Sequence, residues 1–334
     1  MLNVGFIGAG GIARHHATRM VKLRNAKIQA VADVIPAAAA SFAADFGVPH
    51  HFADFRTLLS FDQVDAVWVC TPTFQHPAPV VAAARAGKHV FCEKPIALNL
   101  RDATRMVDAC ARSGVLLTVG FVRRFDNEWG QLNKIIGSGA VGRPVLWRFV
   151  ANGRPEHPWF RDETKGGGPL MDGAVHNYDF ALQMFGPAES VQASSLQFDS
   201  SSVGADTASA VINFRSGDQH TLIWTWGLPF GTRSTKLVDI VGPNGSLQFG
   251  MQAPEPPRNF DPDRKGAFTL QGANGKTRVY PFSKNDMFVS QLKHVVGCFE
   301  RNEQPRVAGE DGITALRVAL AILKSGASHK TVRL

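Results

Sequence analysis

A glycine-rich turn, a lone aspartate, a Glu-Lys-Pro triplet and an Asp-x-x-x-His pair carry the residues of this 334-residue chain whose types and spacing could do chemistry. The turn is Gly8-Ala9-Gly10-Gly11-Ile12-Ala13, directly after the apolar run Val4 to Ile7. In a G-x-G-x-x-A sequence the first glycine permits the tight turn and the second lets backbone approach a pyrophosphate. The small third residue lets helix and strand pack closely. Amides at the start of a helix from about Gly11 to Leu23 would face the phosphates. Asp33 lies 23 residues beyond Gly10, at the end of the run Lys27 to Ala32. That spacing suits a carboxylate accepting hydrogen bonds from a ribose. Val34, Ile35 and Pro36 offer no cation to neutralise a 2′-phosphate, so NAD is expected rather than NADP.

Glu93-Lys94-Pro95 closes another apolar run, Val90 to Cys92. Charges there are costly if buried and idle if solvated, and the carboxyl edge of an open α/β sheet is where ligands bind. Pro95 restricts the backbone of Lys94. Thr71-Pro72, with His76 shortly after, ends the run Ala66 to Cys70. Asp172 and His176 sit on a helix predicted from about Leu170 to Phe185, stopped by Gly186-Pro187. Projected at about 100° per residue, Asp172, His176, Asp179 and Gln183 form a stripe roughly 60° wide. The stripe lacks the Lys and Glu pairs of a solvated face, and Asp172 can orient an imidazole four residues on. Together these groups suit the oxidation of an alcohol. A carbinol releases hydride only as its hydroxyl proton leaves, so a neutral histidine serves as base. A lysine in a dry cleft stabilises the developing oxyanion, and a nicotinamide takes the hydride. Lys94, Asp172 and His176 are the expected catalytic set, with no metal.

The elements that must position these residues follow from periodicity. Short apolar runs alternate with helical stretches at 37–46, 79–86 and 104–113, and Leu116 to Val119 reads as a further strand. Strands separated by helices give a parallel, doubly wound sheet. Asp33, Thr71-Pro72 and Glu93-Lys94 all follow strands and should share one rim. From Arg123 onward the pattern changes. A helix from Glu128 to Ile136 precedes a strand from Val145 to Ala151, and further alternating runs follow at 190–198, 205–214, 219–226, 235–242 and 246–249. These predict a mostly antiparallel sheet in an α+β domain. The expected division is 1–122, a dinucleotide domain, and 123–334, a substrate domain. The loop from Asn152 to Arg161 is rich in groups that could bind a polar ligand, Asn152 and His157 among them. The stretch 253–275, rich in Pro, Gly and charge, is expected to be a long exposed excursion, and 286–300 and 311–325 to be helices.

Composition narrows the class. With 44% apolar and 19% charged residues the chain reads as an ordinary globular protein. The formal charge of +8 is spread over both halves without a basic run, which argues against nucleic acid as partner. Cys70, Cys92, Cys110 and Cys298 lack metal-ligand spacing and read as reduced thiols. No apolar run approaches the ~20 residues that cross a bilayer, and no basic leader precedes the first strand. A cytoplasmic protein without membrane contact is expected.

The glycine turn with Asp33, Thr71-Pro72 with His76, and above all Glu93-Lys94-Pro95 resemble the Gfo/Idh/MocA oxidoreductases. The resemblance continues through Gly120-Phe121-Val122-Arg123-Arg124-Phe125 and spans essentially the whole chain. It implies a dinucleotide held by Gly8, Ala9, Gly10, Gly11, Ile12, Asp33, Thr71, Pro72, His76, Glu93 and Lys94. It places the family's Asp-x-x-x-His pair on Asp172 and His176, continues it to Asp179, and adds Arg123 to the groups expected at the substrate. The implied substrate is a secondary alcohol, or the matching ketone, of a sugar or cyclic polyol. A homodimer or homotetramer is implied through the open sheet of the second domain. Two alternatives stay open: a glycosidase working by transient NAD-dependent oxidation of the sugar, and a non-catalytic dinucleotide-sensing regulator.

Overall fold

Leu2–Ile7 (β1) is buried along nearly its whole length, as a strand covered on both faces must be. It leads through the glycine turn into the helix Gly11–Met20 (α1). The alternation continues as Ala26–Ala32 (β2), Pro36–Phe46 (α2), His50–Phe52 (β3), Phe55–Leu59 (α3), Ala66–Val69 (β4), Pro77–Arg85 (α4), His89–Cys92 (β5), Leu100–Arg112 (α5) and Leu117–Val119 (β6). The helices start where their sequences say they should. Pro36 occupies the first turn of α2, and the Asn99 side chain caps α5 by accepting from the Asp102 amide. The six strands pair in the order β3-β2-β1-β4-β5-β6, all parallel. The order reverses between β1 and β4, so the crevice outside their carboxyl ends is the ligand position of this topology.

The computed structural model describes residues 1–153, 155, 157–229, 231–232, 236–249, 261 and 263–334. Two compact units emerge, Met1–Val122 with Phe288–Leu316, and Arg123–Met287 with Arg317–Leu334. Residues 288–316 group with the first unit rather than with the sequence around them. The reason is the apolar face of Met287–Arg301 (α8). Its Leu292, Val295, Val296 and Phe299 join the core of the first unit with Phe6, Trp68 and Phe91. Trp68 stacks on Phe91 at 5.3 Å and meets Phe299 edge-on at 5.8 Å.

The second unit is built on the helices Asn127–Gly137 (α6) and Val175–Phe185 (α7) and on a nine-stranded sheet. Its strands are Leu146–Asn152 (β7), Ala188–Leu196 (β8), Thr207–Phe214 (β9), Gln219–Thr225 (β10), Leu237–Gly242 (β11), Gly245–Phe249 (β12), Lys265–Gly272 (β13), Thr277–Ser283 (β14) and Val332–Arg333 (β15). They run β14-β13-β12-β11-β7-β10-β9-β8-β15, antiparallel except for the pair β7–β10. Side chains alternate: Trp147, Phe149 and Ala151 are buried while Arg148 is exposed. On the covered face Trp129 of α6 and Phe180 of α7 pack on each other and on Trp147. The last helix, Gly309–Ser328 (α9), begins in the first unit and ends in the second.

Two expectations need correction. Residues 253–260 and 262 of the proposed excursion lie outside the described residues, but 265–272 form β13, paired on both sides, with Ala267, Phe268 and Thr269 buried. Flanking Pro, Gly and charge masked a short apolar run that the sheet completes from both neighbours. Thr235, at the start of the expected run 235–242, also lies outside the described residues, as do Arg154 and Glu156 of the polar loop. The second correction concerns the predicted helix from Leu170. Pro169–Gly173 is a π-helical turn, and the regular α7 starts only at Val175. A wider turn changes the angular phase, so a uniform projection from Asp172 to Gln183 does not hold.

Candidate active site

On the first unit, Gly8 adopts φ +97°, and a Cβ there would lie 2.7 Å from the carbonyl oxygen of Cys70. Only glycine lets β1 turn so close to the end of β4. Gly10 and Gly11 have nothing within 4 Å of where a side chain would project. No side chain caps the first turn of α1, so its orphan amides are available to an anion. Asp33 accepts from the Ala9 amide at 2.8 Å with one oxygen and from the Ile35 amide at 2.8 Å with the other. A carboxylate retains further lone pairs for ribose hydroxyls. Val34 and Ile35 beside it are exposed. Thr71 Oγ1 is buried without a hydrogen-bond partner, an acceptor and donor awaiting a polar ligand. Open glycines, an uncapped helix start, an acid and an orphaned hydroxyl fit a dinucleotide without a 2′-phosphate.

His76 and Glu93, expected at the cofactor, make hydrogen bonds within the protein. His76 is buried, with Nε2 2.9 Å from the Thr71 carbonyl oxygen and Nδ1 3.0 Å from that of Pro95. Burial lowers its pKa against the pull of those carbonyls, and its ring fastens the turn after β4 to the turn after β5. Glu93 is also buried; its Oε1 accepts from His16 Nε2 at 2.7 Å and its Oε2 from the Lys94 amide at 3.1 Å. Burial pushes this carboxyl up, but the His16 hydrogen bond, the His16 charge and the Lys94 charge outweigh it and leave it below the ordinary range. Lys94 itself is half-buried, before a cis peptide to Pro95. Sequence reading passed over His16, although its place on the stripe Ala13, His16, Ala17, Met20 marks a polar residue on a core face.

On the second unit the two consecutive arginines after the first domain grip α7. Arg123 donates to Asn177 Oδ1 and lies 4.7 Å over the Trp129 ring. Burial lowers its pKa to about 10, with Asp179 and Asp126 opposing. The Arg124 Nε donates to both oxygens of Asp179 at 3.0 Å, and Asp179 is 1% exposed. Asp179 and Arg123, both expected at the substrate, thus also fasten α7 to the segment that precedes α6. Arg124 and Asn177 are the partners of Asp179 and Arg123 that sequence reading missed; adjacent arginines before a polar helix were the signal available.

Asp172 is buried at the π turn and His176 is half-buried in the first turn of α7. At Gly173 an added Cβ would lie 2.7 Å from Trp226 and 2.8 Å from Trp224 Nε1. Glycine therefore allows the Asp172 turn to lie against the end of β10. Asn152 ends the neighbouring β7, opposite Thr225, and Gly153 faces Trp226. The carboxyl ends of the single parallel pair thus gather Asn152, Trp224, Trp226 and the Asp172 turn. His157 is exposed before the turn Pro158–Arg161. Among the described residues no group of His, Cys, Asp and Glu could hold a metal ion.

Comparison with known proteins agrees with this arrangement. Residues 2–121 match the model of an oxidoreductase family with an NAD-binding Rossmann fold, and residues 129–248 match the GFO/IDH/MocA C-terminal domain. A myo-inositol 2-dehydrogenase of Thermotoga maritima is 30% identical over 343 aligned positions, covering 100% of this chain and 98% of the relative. The scyllo-inositol 2-dehydrogenase (NAD(+)) of Bacillus subtilis is 26% identical, covering 98% and 95%. The crystal structure of a probable dehydrogenase from Thermotoga maritima superposes with a TM-score of 0.80 at 28% identity, covering 99% and 98%. The chain belongs to the Gfo/Idh/MocA family of NAD-dependent oxidoreductases.

Proposed function

We propose that the protein interconverts a secondary alcohol and the matching ketone of a cyclic polyol or sugar. The observation that carries this reading is the single rim of the first unit, where the glycine turn, Asp33, Thr71 and Lys94 all follow parallel strands. The inositol dehydrogenases among its relatives support the substrate class. NAD, when bound, accepts the hydride. His176 takes the hydroxyl proton. The Lys94 ammonium stabilises negative charge growing on the substrate oxygen. Asp172, buried one turn before His176, orients the imidazole or a neighbouring hydroxyl. Trp224 and Trp226 offer apolar surface to ring carbons, and Asn152 and His157 offer polar groups to hydroxyls.

A panel of inositols and aldoses, scored by absorbance of reduced nicotinamide, tests the reading. Turnover of at least one ring polyol is expected; absence of any redox turnover, with release of phenol from aryl glycosides at catalytic NAD, would transfer the protein to the glycosidase alternative. The reading also takes the protein to be cytoplasmic, supported by four buried cysteines without disulfides. Among the described residues no helix is long and apolar enough to cross a membrane. Self-association through the open sheet face is supported by the row Ile223, Val150, Leu237 across β10, β7 and β11, of which Ile223 and Leu237 are exposed.

A further inference from the structure

The reading above leaves one buried titratable pair without a task. His16 is wholly buried on α1, among Ala13, Ala17 and Met20. Its ring is walled edge-on by Phe91 at 5.1 Å and Phe288 at 5.6 Å, which fixes the plane in which its nitrogens point. Nδ1 is buried without a hydrogen-bond partner, while Nε2 donates to Glu93 Oε1 at 2.7 Å. The carboxylate passes the constraint on, because its other oxygen holds the Lys94 amide at 3.1 Å. Gly120 makes room for it: a Cβ there would come within 2.9 Å of Glu93 Oε2. A burial that leaves one imidazole nitrogen unsatisfied is costly, and a purely apolar side chain would fill a core stripe without that cost. The stripe accepts the cost at the residue that reaches the neighbour of Lys94.

We propose that His16 is a positioning residue: through Glu93 it ties α1, whose first turn is the expected pyrophosphate seat, to the end of β5, and so sets the aim of Lys94. The proposal rests on the reading of Lys94 as the group that stabilises the substrate oxygen. Its chemistry is a chain of two hydrogen bonds, His16 Nε2–H to Glu93 to the Lys94 N–H, with no proton transferred. Misplacing a reacting group by about 1 Å costs on the order of 10²-fold in rate.

The discriminating pair of variants is His16→Gln and His16→Asn. Both are neutral amides of similar polarity, but only the longer glutamine reaches the position of Nε2 and keeps a donor on Glu93. Two readouts are taken on each: kcat with NAD and the best polyol of the panel, and the rate at which acetic anhydride acetylates Lys94 in the cofactor-free protein, followed by peptide mass. NADH affinity by fluorescence and melting temperature are measured alongside. His16→Gln is expected within about threefold of the parent in both readouts. His16→Asn is expected to lose about 10–10²-fold in kcat and to change Lys94 acetylation several-fold, with NADH affinity within about threefold. Equal behaviour of the two variants overturns the proposal, whether both match the parent or both lose affinity, melting temperature and kcat together. Lys94→Ala in the same assay separates the two layers. Parental turnover there would sink the role of Lys94 while the acetylation rates still decide the anchor.

Discussion

Asp33 shows how much one side chain can settle. Its two oxygens hold the amides of Ala9 and Ile35 at 2.8 Å each, so the acid shapes the glycine turn. The exposed Val34 and Ile35 leave a 2′-phosphate without a counter-charge. NADH is therefore expected to bind at least tenfold more tightly than NADPH in fluorescence titration; equal constants would contradict the assignment. His220 makes a different point. It stacks on Trp147 at 4.0 Å, and Nδ1 donates to the Trp147 carbonyl at 3.2 Å. Burial lowers its pKa to about 3. The unfolded chain binds a proton below about pH 6.5 while the folded one does not. Stability is thus complete above that pH and lost as pH falls toward 3, by up to about 1.4 kcal/mol per unit. Urea unfolding at several pH values should show a flatter dependence for His220→Phe than for the parent.

At the scale of elements, the π turn Pro169–Gly173 and the helix behind it decide what His176 can do. The wide turn lays Gly173 against Trp224 and Trp226, while Arg123 and Arg124 hold α7 by Asn177 and Asp179. His176→Ala should lower kcat by roughly 10²–10⁴ with little change in melting temperature. Arg124→Met should behave in the opposite way. It leaves the Asp179 carboxylate buried without its cation, and breaking such a pair costs about 3–5 kcal/mol. Denaturant unfolding of that variant would reveal the loss, and an unchanged midpoint would return the pair to the solvated kind.

Over the whole molecule the chain leaves the first unit after Val122, re-enters at Phe288 and leaves again after Leu316. Leu292, Val295, Val296 and Phe299 complete the core that Phe6, Trp68 and Phe91 begin. Burying each such side chain contributes about 1.5–3 kcal/mol, and together they approach the entire stability of an ordinary domain. A fragment of residues 1–122 is accordingly expected to lack a cooperative unfolding transition by circular dichroism. Joining 288–316 to it by a flexible linker should restore one.

Much of this was legible in the residues alone, and for local reasons. Val4 to Ile7 running into Gly8-Ala9-Gly10 is a strand, a turn and a helix start within a few positions, because each step is dictated by side-chain volume or its absence. The ends of β1, β2, β4 and β5 could be given one rim because parallel strands leave no other arrangement. Asp172 and His176 were visible as chemistry-bearing types on one helix. Tertiary structure decided the rest. Whether Glu93, His76, Arg123 and Asp179 face a ligand or the protein depends on partners 77, 19, 54 and 55 positions away, and no local pattern contains such pairs. The strand at Lys265–Gly272 and the return of α8 to the first unit are likewise products of long-range burial. An apolar run declares that it will be buried, but which core receives it is set only when the other surfaces exist.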